Sequence, residues 1–272
     1  MLHAKVFPSV YEFVGLIKLP PSREYLFLQM QSQSTENSTS LKPLCPTRWT
    51  CRTTSINAVL VNYQVVIETL HKVHETRHDD YGRRAAGCLA LMEKFSTFFG
   101  LKLAHLIFSA SEQLSTTLQA KDTTAQNAFT AARLTQDFYT RQKEHASFRT
   151  LYEAVVTEPK DKMKPPVRPG YRRAPKRLDD ETPAHQYELP EDMYRHQYFE
   201  VLECVTGEIS RRFQQKDFNI VSTMESVLLN GANGSATDSP IPTELTDMYS
   251  KDINMDRLKV QLAIVPDLIK CS

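Results

Sequence analysis

The sequence predicts a mainly α-helical fold, a helical bundle with one irregular linker rich in proline and arginine. Apolar residues recur at spacings of three and four over most of its 272 residues, which is the period of an amphipathic helix. Only eight glycines are present, few for a sheet-and-turn architecture or a glycine-rich nucleotide-binding fold. Most of the fifteen prolines stand in stretches that lack the helical period. Together these features favour helices over strands.

Two short helices are expected near the start of the chain, because a Pro-Pro pair separates two apolar segments. The segments are Ser9–Ile17 and Ser22–Met30. Ser22 is the expected N-cap of the second helix, since its hydroxyl can accept a hydrogen bond from a backbone N–H of the first turn. The polar run at 31–40 is typical of a loop.

A longer helix is predicted from Trp49 to Arg77, with one apolar stripe for burial. Asp79 and Asp80 end it and cap the next helix. Gly100 is expected to bend or break the chain before a further helical stretch, Leu101–Leu118.

Capping-box spacing predicts another helix start at Thr123, with Gln126 reaching back to it. This helix is predicted to run through Val155 and to end before Pro159. Beyond an irregular linker at 158–187, the sequence predicts three more helical segments. They are a helix opened by Pro190-Glu191-Asp192, a helix over Asp217–Leu229, and a weaker pattern over 243–265 that ends at Val265-Pro266.

Charge and cysteine usage narrow the class of protein. The formal net charge is only +1, so a surface that attracts nucleic acid must be local. The five cysteines are widely spaced and form no CxxC pair, which is typical of reduced thiols in the cytosol or nucleus. The start of the chain has no secretory pattern, and no apolar run reaches about 18 residues. We therefore expect a protein of the nucleus or cytoplasm without a membrane partner.

The linker concentrates positive charge between residues 160 and 177, where eight Lys or Arg accompany one acid, Asp161. Such a segment can follow a phosphate backbone, because each neutralised phosphate releases counterions. The alternative expectation is a disordered linker that binds nothing. The candidate nucleic-acid contacts are Lys160, Lys162, Lys164, Arg168, Arg172, Arg173, Lys176 and Arg177.

A second candidate is the pair Arg48-Trp49, which holds the only tryptophan and stands at a helix entrance after a proline-bounded turn. An exposed tryptophan beside an arginine can stack on an unpaired base. The alternative is a tryptophan that anchors the core.

Metal chemistry has two weaker candidates. His71, His74 and His78 lie one or two turns apart on one predicted helix, so two imidazoles can share a metal ion. Acidic groups stand at Asp79-Asp80 and at 179–181, and paired carboxylates can hold the two metals of a nuclease. A solvated helix end, a helix cap and solubilising charge explain these residues better than a metal site does. No catalytic motif is present, and no enzyme, metal or cofactor is predicted.

Four blocks of the chain, in order, resemble the hAT-type transposases, in particular their domesticated vertebrate members related to zinc-finger MYM-type protein 1. The blocks are LKPLCPTRWTCRTTSINAVL from Leu41, LALMEKFSTFFGLKLAHLIFSASEQLSTTLQAKDTTAQ from Leu89, YRRAPKRLDD from Tyr171 and YFEVLECVTGEISRRFQQ from Tyr198. The resemblance extends over nearly the whole chain from about residue 5.

The resemblance implies a ribonuclease H-like catalytic domain, with two aspartates and a glutamate that bind divalent metal, interrupted by a large helical insertion domain. Residues 1–45 correspond to a remnant of the catalytic domain's edge and a loop, and residues 46–272 to the insertion domain. The family's Arg-Trp pair matches Arg48 and Trp49, and its tryptophan is thought to stabilise a flipped base at a DNA end. The family's aspartates would precede residue 1, and its glutamate would follow Ser272.

The resemblance thus leads to the hypothesis of a non-catalytic transposase-derived fragment that binds DNA or a protein. One alternative is a part of an active transposase or nuclease whose acidic ligands lie outside this chain. The other is a protein-interaction scaffold. The sequence leaves the oligomeric state open.

Overall fold

The described residues of the computed structural model are 3–33, 39–43, 50–158, 163–167, 187–213, 216–234 and 240–271. They contain twelve α-helices and no strand apart from an isolated bridge between Lys94 and Lys164, so the all-α prediction is confirmed. The helices are α1 His3–Lys18, α2 Pro21–Gln33, α3 Thr50–Val61, α4 Tyr63–Thr76, α5 Asp80–Met92, α6 Phe95–Gln119, α7 Ala125–Gln142, α8 His145–Thr157, α9 Pro190–Phe213, α10 Lys216–Ala232, α11 Thr243–Tyr249 and α12 Met255–Lys270.

The chain forms two compact units. Unit 1 comprises Met1–Ser115 and Phe138–Cys204, and unit 2 comprises Thr116–Asp137 and Val205–Ser272. In unit 1, α1 and α2 pack on α4 and α5. The domain boundary between residues 45 and 46 stays a prediction from the resemblance.

Aromatic rings fill the core of unit 1 around α6. The rings of Phe95 and Phe99 lie 4.9 and 4.8 Å from that of Tyr194, and the Tyr63 ring meets that of Phe98 edge-on at 4.6 Å. Such tilted pairs contribute about 0.5–1.5 kcal/mol each beyond their burial. Burial raises the pKa of Tyr194 to about 12, so this phenol stays neutral.

Unit 2 has a much thinner core. Its described buried hydrophobic side chains are small or few: Ala128, Ala132, Ile220, Leu245 and Leu262. The helix α10 packs on α11 and α12. Gly231 of α10 is buried against α12, because a Cβ there would come within 2.8 Å of a methyl group of Leu262.

The start of α2 differs from its prediction. Pro21 is the first helical residue, and the carbonyl of Pro20 accepts hydrogen bonds from the N–H groups of Arg23 and Glu24. Ser22 therefore lies inside the first turn and is not the N-cap. Proline suits the first helical position because its φ is already helical and its missing N–H would have no partner there.

The predicted helix from Trp49 to Arg77 is two helices, α3 and α4, that meet at Asn62. Asn62 is 1% exposed. Its amide donates to the carbonyls of Ala58 and Thr39 at 2.7 Å, and its side-chain oxygen accepts from Gln31 at 2.7 Å. A buried amide with three partners holds the loop at Thr39 against this junction. Asparagine competes with the helical backbone for hydrogen bonds, which explains the break.

The α5 cap follows its prediction, whereas Gly100 does not. Asp79 accepts hydrogen bonds from the N–H groups of Tyr81 and Gly82 at 3.0 and 3.1 Å. No break occurs at Gly100, which is buried within α6. A glycine inside a helix costs about 1 kcal/mol, and the burial of Phe98, Phe99 and neighbouring side chains offsets that cost.

The region after α6 also corrects two predictions. The cap of α7 is Thr124, whose hydroxyl accepts from the N–H of Asn127 at 3.1 Å, while Thr123 donates to the carbonyl of Thr117. The side chain of Gln126 does not reach back, because it donates to the Ser226 hydroxyl of α10. The backbone N–H of Gln126 donates to the Glu225 carboxylate of the same helix. The long helix expected through Val155 is divided into α7 and α8 at Lys143-Glu144.

In the last helices, the predicted first residues agree with the structure better than the predicted last residues do. Helix α9 begins at Pro190, and Asp192 accepts from the N–H of Leu189 at 3.4 Å. Helix α10 extends beyond Asp217–Leu229 at both ends. Pro266 was expected to end the last helix but lies inside α12, which continues to Lys270. Pro266 lacks the N–H that would bond to the carbonyl of Leu262, so α12 continues past it with one hydrogen bond fewer.

We expect Asn62→Ala to lower the free energy of unfolding by about 1–3 kcal/mol, because it removes a buried amide that hydrogen-bonds to Thr39, Ala58 and Gln31. Thermal unfolding followed by circular dichroism measures the change. Asn57→Ala is the matched control, since Asn57 is an exposed asparagine of the neighbouring helix and its replacement should stay within about 0.5 kcal/mol. Equal melting temperatures for the two variants would contradict this role of Asn62.

Candidate functional site

Nine of the ten predicted nucleic-acid contacts lie outside the described residues, among them Arg48 and Trp49. The tenth, Lys164, lies on the described part of the linker. Its N–H donates to the carbonyl of Glu93 and its ammonium donates to the Glu93 carboxylate, both at 2.8 Å. Lys164 therefore anchors the linker at the junction of α5 and α6.

A different group of basic residues comes together in unit 1, which we call the arginine cluster. It consists of Arg23 on α2, Arg77 after α4, and Arg84 on α5, arranged around Tyr81. Arg23 is only 5% exposed. Its Nε and Nη1 atoms are buried without a hydrogen-bond partner. A buried guanidinium in that state costs free energy that nearby groups must offset.

Tyr81 provides the surface of the cluster. The Arg23 guanidinium carbon lies 4.4 Å from the centre of the Tyr81 ring, and that of Arg77 lies 5.5 Å from it. Both distances are typical of cation–π contacts, which partly offset the burial of Arg23. The tyrosine itself is 43% exposed. An exposed ring therefore lies over a buried positive charge.

Gly82 permits this arrangement. A Cβ at this position would overlap the carbonyl oxygen of Arg77 and lie 2.8 Å from its carbonyl carbon. Only glycine therefore lets the chain at Arg77 pass directly over the first turn of α5. The same turn is held by Asp79, whose carboxylate caps α5 and also pairs with Arg77 at 2.8 Å.

The cluster has a surplus of positive charge at Arg23. Asp79 pairs with Arg77, and Glu12 lies 3.9 Å from Arg84. Burial first, and then the charges of Arg77 and Arg84, lower the pKa of Arg23 from its ordinary value, and Tyr81 and Asp79 oppose that shift only in part. Hydrogen bonds from the backbone N–H of Gly82 and from Arg77 lower the pKa of Asp79, which keeps that carboxylate charged. Because an arginine remains protonated even so, Arg23 stays a fixed cation.

This arrangement suits anions. A cation in a medium of low dielectric is screened less by salt than an exposed one, so its field reaches the nearby surface. Arginines that face that surface can donate two hydrogen bonds to a phosphate group. An exposed ring beside them can contact a base or a sugar. The chemistry is that of a phosphate-bearing ligand with an apolar part.

One feature of the sequence indicates this cluster, although no known motif covers it. Arg23 stands four residues before Phe27 on α2, and both side chains are buried. A charged residue on the buried face of a helix is uncommon and marks a position of interest.

Two of the three histidines and Asp79 make contacts within the described part of the chain. His71 pairs with Glu75 at 3.3 Å, and the His74 ring nitrogen lies 3.3 Å from the carbonyl oxygen of Gly82. Asp79 is the α5 cap. The described residues include no group of three His, Cys, Asp or Glu side chains that could hold a metal ion. The acidic run at 179–181 lies outside them.

A cleft of about 660 Å³ lies where the linker ends, within unit 1. Its lining combines Tyr187 and Phe199 with cations and acids on the loop and on α9. The Tyr187 ring lies 5.7 Å from that of His196, and Arg195 pairs with Asp192 at 3.2 Å. Its charges are mixed, so the cleft favours phosphate less than the arginine cluster does.

Comparison with known proteins adds no relative: no family model, no curated protein and no solved structure matches this chain. Within the described residues, no helix combines the length and the apolar character that crossing a membrane requires.

We expect Gly82→Ala to destabilise unit 1 by about 1–3 kcal/mol, because the added methyl group forces the chain at Arg77 away from α5. Thermal unfolding measures the loss. The control is Gly87→Ala in the same helix, where a Cβ meets nothing within 4 Å. That change should be neutral or stabilising by about 0.5–1 kcal/mol. The same response at both glycines would rule out a close crossing at Gly82.

Proposed function

We propose that this chain is a non-catalytic helical fragment of the hAT-transposase type that binds DNA, with the arginine cluster as one point of contact. The observation that carries the proposal is the buried Arg23 guanidinium, two of whose nitrogens have no hydrogen-bond partner beneath the exposed ring of Tyr81. A bound phosphate offsets such a charge directly. The resemblance of four sequence blocks to a DNA-handling family supports the same ligand.

Two further contacts belong to the proposal. The linker lysines and arginines from Lys160 to Arg177 supply phosphate contacts, and Lys164 anchors that segment to unit 1. Arg48 and Trp49 supply the base-stacking contact that the resemblance implies. A protein with these contacts acts on DNA in the nucleus.

The alternatives differ in what they require. An active transposase or nuclease requires acidic metal ligands outside this chain, and cleavage of DNA with Mg²⁺ or Mn²⁺ by a longer product would favour it. A protein-interaction scaffold is favoured by a separate observation, the exposed apolar side chains of α12 in unit 2. Binding of a protein partner together with no affinity for DNA would favour it.

The arginine cluster can be tested by DNA titrations at several salt concentrations, read by the fluorescence anisotropy of a labelled duplex. We expect Arg84→Gln to weaken binding and to reduce the slope of log K against log salt by about 1, as loss of one phosphate contact does. Arg149→Gln, an exposed arginine of α8, is the matched control and should leave the slope unchanged.

Arg23→Met separates binding from folding. Because the buried cation is unneutralised, its replacement by an apolar side chain of similar length should leave the melting temperature unchanged or raise it. Binding to DNA should weaken nevertheless. Wild-type affinity in both Arg23→Met and Arg84→Gln would exclude the cluster as a DNA contact.

The stacking contact can be tested with the single tryptophan as its own probe. We expect single-stranded or hairpin DNA to quench the fluorescence of Trp49, and Trp49→Ala to weaken binding by about 1–3 kcal/mol. Trp49→Phe, which keeps a ring, should retain part of the affinity. Unchanged fluorescence and unchanged affinity would place Trp49 in the core.

A further inference from the structure

Helix α12 carries apolar side chains on two opposite faces. One face packs within unit 2, where Leu262 is 5% exposed against Gly231 of α10. The other face carries Val260 and Ile264, with 62% and 48% of their surfaces exposed. Leu268, one turn further, is 61% exposed. A helix that is apolar on both sides is typical of a buried helix, so the outer face is suited to a partner.

The charges around the outer face indicate what that partner is. Arg257 stands three residues before Val260, and Asp267 stands three residues after Ile264. This gives the spacing of successive a and d positions in a heptad, in the order Arg257, Val260, Ile264 and Asp267. Asp256 and Lys270 flank the same stripe. The pattern is therefore complementary to itself when read in the opposite direction.

We propose that α12 pairs with α12 of a second copy of this chain, antiparallel and about a two-fold axis. In this register Val260 lies opposite the second copy's Ile264, and Arg257 lies opposite the second copy's Asp267. Each pairing occurs twice, as a two-fold axis requires. The flanking positions place Asp256 beside the second copy's Lys270. The apolar contacts of Val260 and Ile264 at the centre therefore have a pair of opposite charges at each end.

Electrostatics selects this arrangement over a parallel one. In a parallel pair in register, each a and d position of α12 would face the same position of the second copy, so Arg257 would meet Arg257 and Asp267 would meet Asp267. The antiparallel register replaces these like-charge contacts with opposite charges. Charged residues at the rim contribute little affinity but set orientation and register.

The four charged residues are available for this contact. All are exposed, and the ion pair within the helix between Lys270 and Asp267 is long, at 3.8 Å, with both side chains more than three-quarters exposed. An exposed pair of this kind is weak, so exchange for a partner across the interface costs little. Ala263, between the two halves of the stripe, leaves room for the helices to approach.

The register can be tested by charge reversal in the full chain, without DNA, using sedimentation velocity over a range of concentrations. We expect the wild type to form dimers of twice 31.1 kDa. Arg257→Asp and Asp267→Arg should each weaken dimerisation roughly tenfold or more, because each puts like charges opposite each other. An equimolar mixture of the two variants should dimerise again, since only the mixed pair restores opposite charges at both ends.

Two further variants keep the result interpretable. Ile264→Glu should give a folded monomer, shown by an unchanged circular dichroism spectrum, because it places two acids at the centre of the interface. Lys259→Glu is the matched control, a charge reversal of an exposed residue on another side of α12, and should leave dimerisation unchanged. A wild type that stays monomeric overturns the proposal, and so does a dimer that the charge reversals leave intact.

Discussion

The close passage of the chain at Arg77 over the first turn of α5 is the constraint on which unit 1 depends. It joins α4 to α5, the two helices that pack most extensively on each other, and it needs a residue without a side chain at Gly82. Asp79 strengthens the same turn in two ways, because its carboxylate caps α5 and pairs with Arg77. Because Tyr81 belongs to the first turn of α5, this close passage also fixes the position of the Tyr81 ring.

The crossing also explains why a buried arginine is tolerated. It brings Tyr81 over Arg23, so the ring faces a guanidinium that has lost water and gained few hydrogen bonds. The cation–π contact offsets part of that loss and leaves the charge unneutralised. Such a charge adds little to stability. Its position beneath an exposed ring is the basis on which an anion is proposed to bind there.

Unit 2 differs from unit 1 in having few buried side chains and several exposed apolar ones. Its described core is thin, with Leu262, Leu245 and Ile220 among few large buried side chains, while several apolar side chains of α10 and α12 face outward. A small core buries little surface per residue and gives marginal stability. Pairing of α12 with a second copy would bury Val260 and Ile264 and so add to the buried apolar surface of unit 2. The two units thus differ in chemistry, one suited to an anion and one to an apolar partner.

Local patterns in the sequence determined where helices exist and several of their ends. Apolar spacing of three and four is a property of neighbouring residues, and the caps at Asp79 and Pro190 act within one turn, so both are readable without a fold. The fold class and the acidic cap of α5 were predicted for this reason.

Tertiary structure decided the rest, because the deciding partners are distant in sequence. Asn62 lies where two helices meet and hydrogen-bonds to Thr39 and Gln31. The side chain of Gln126 bonds to Ser226, 100 residues away, instead of reaching back to Thr123. The arginine cluster draws on three helical regions, and no local pattern states that Arg23 and Tyr81 meet. Only packing brings those two side chains together, and with them the charge on which the proposed site depends.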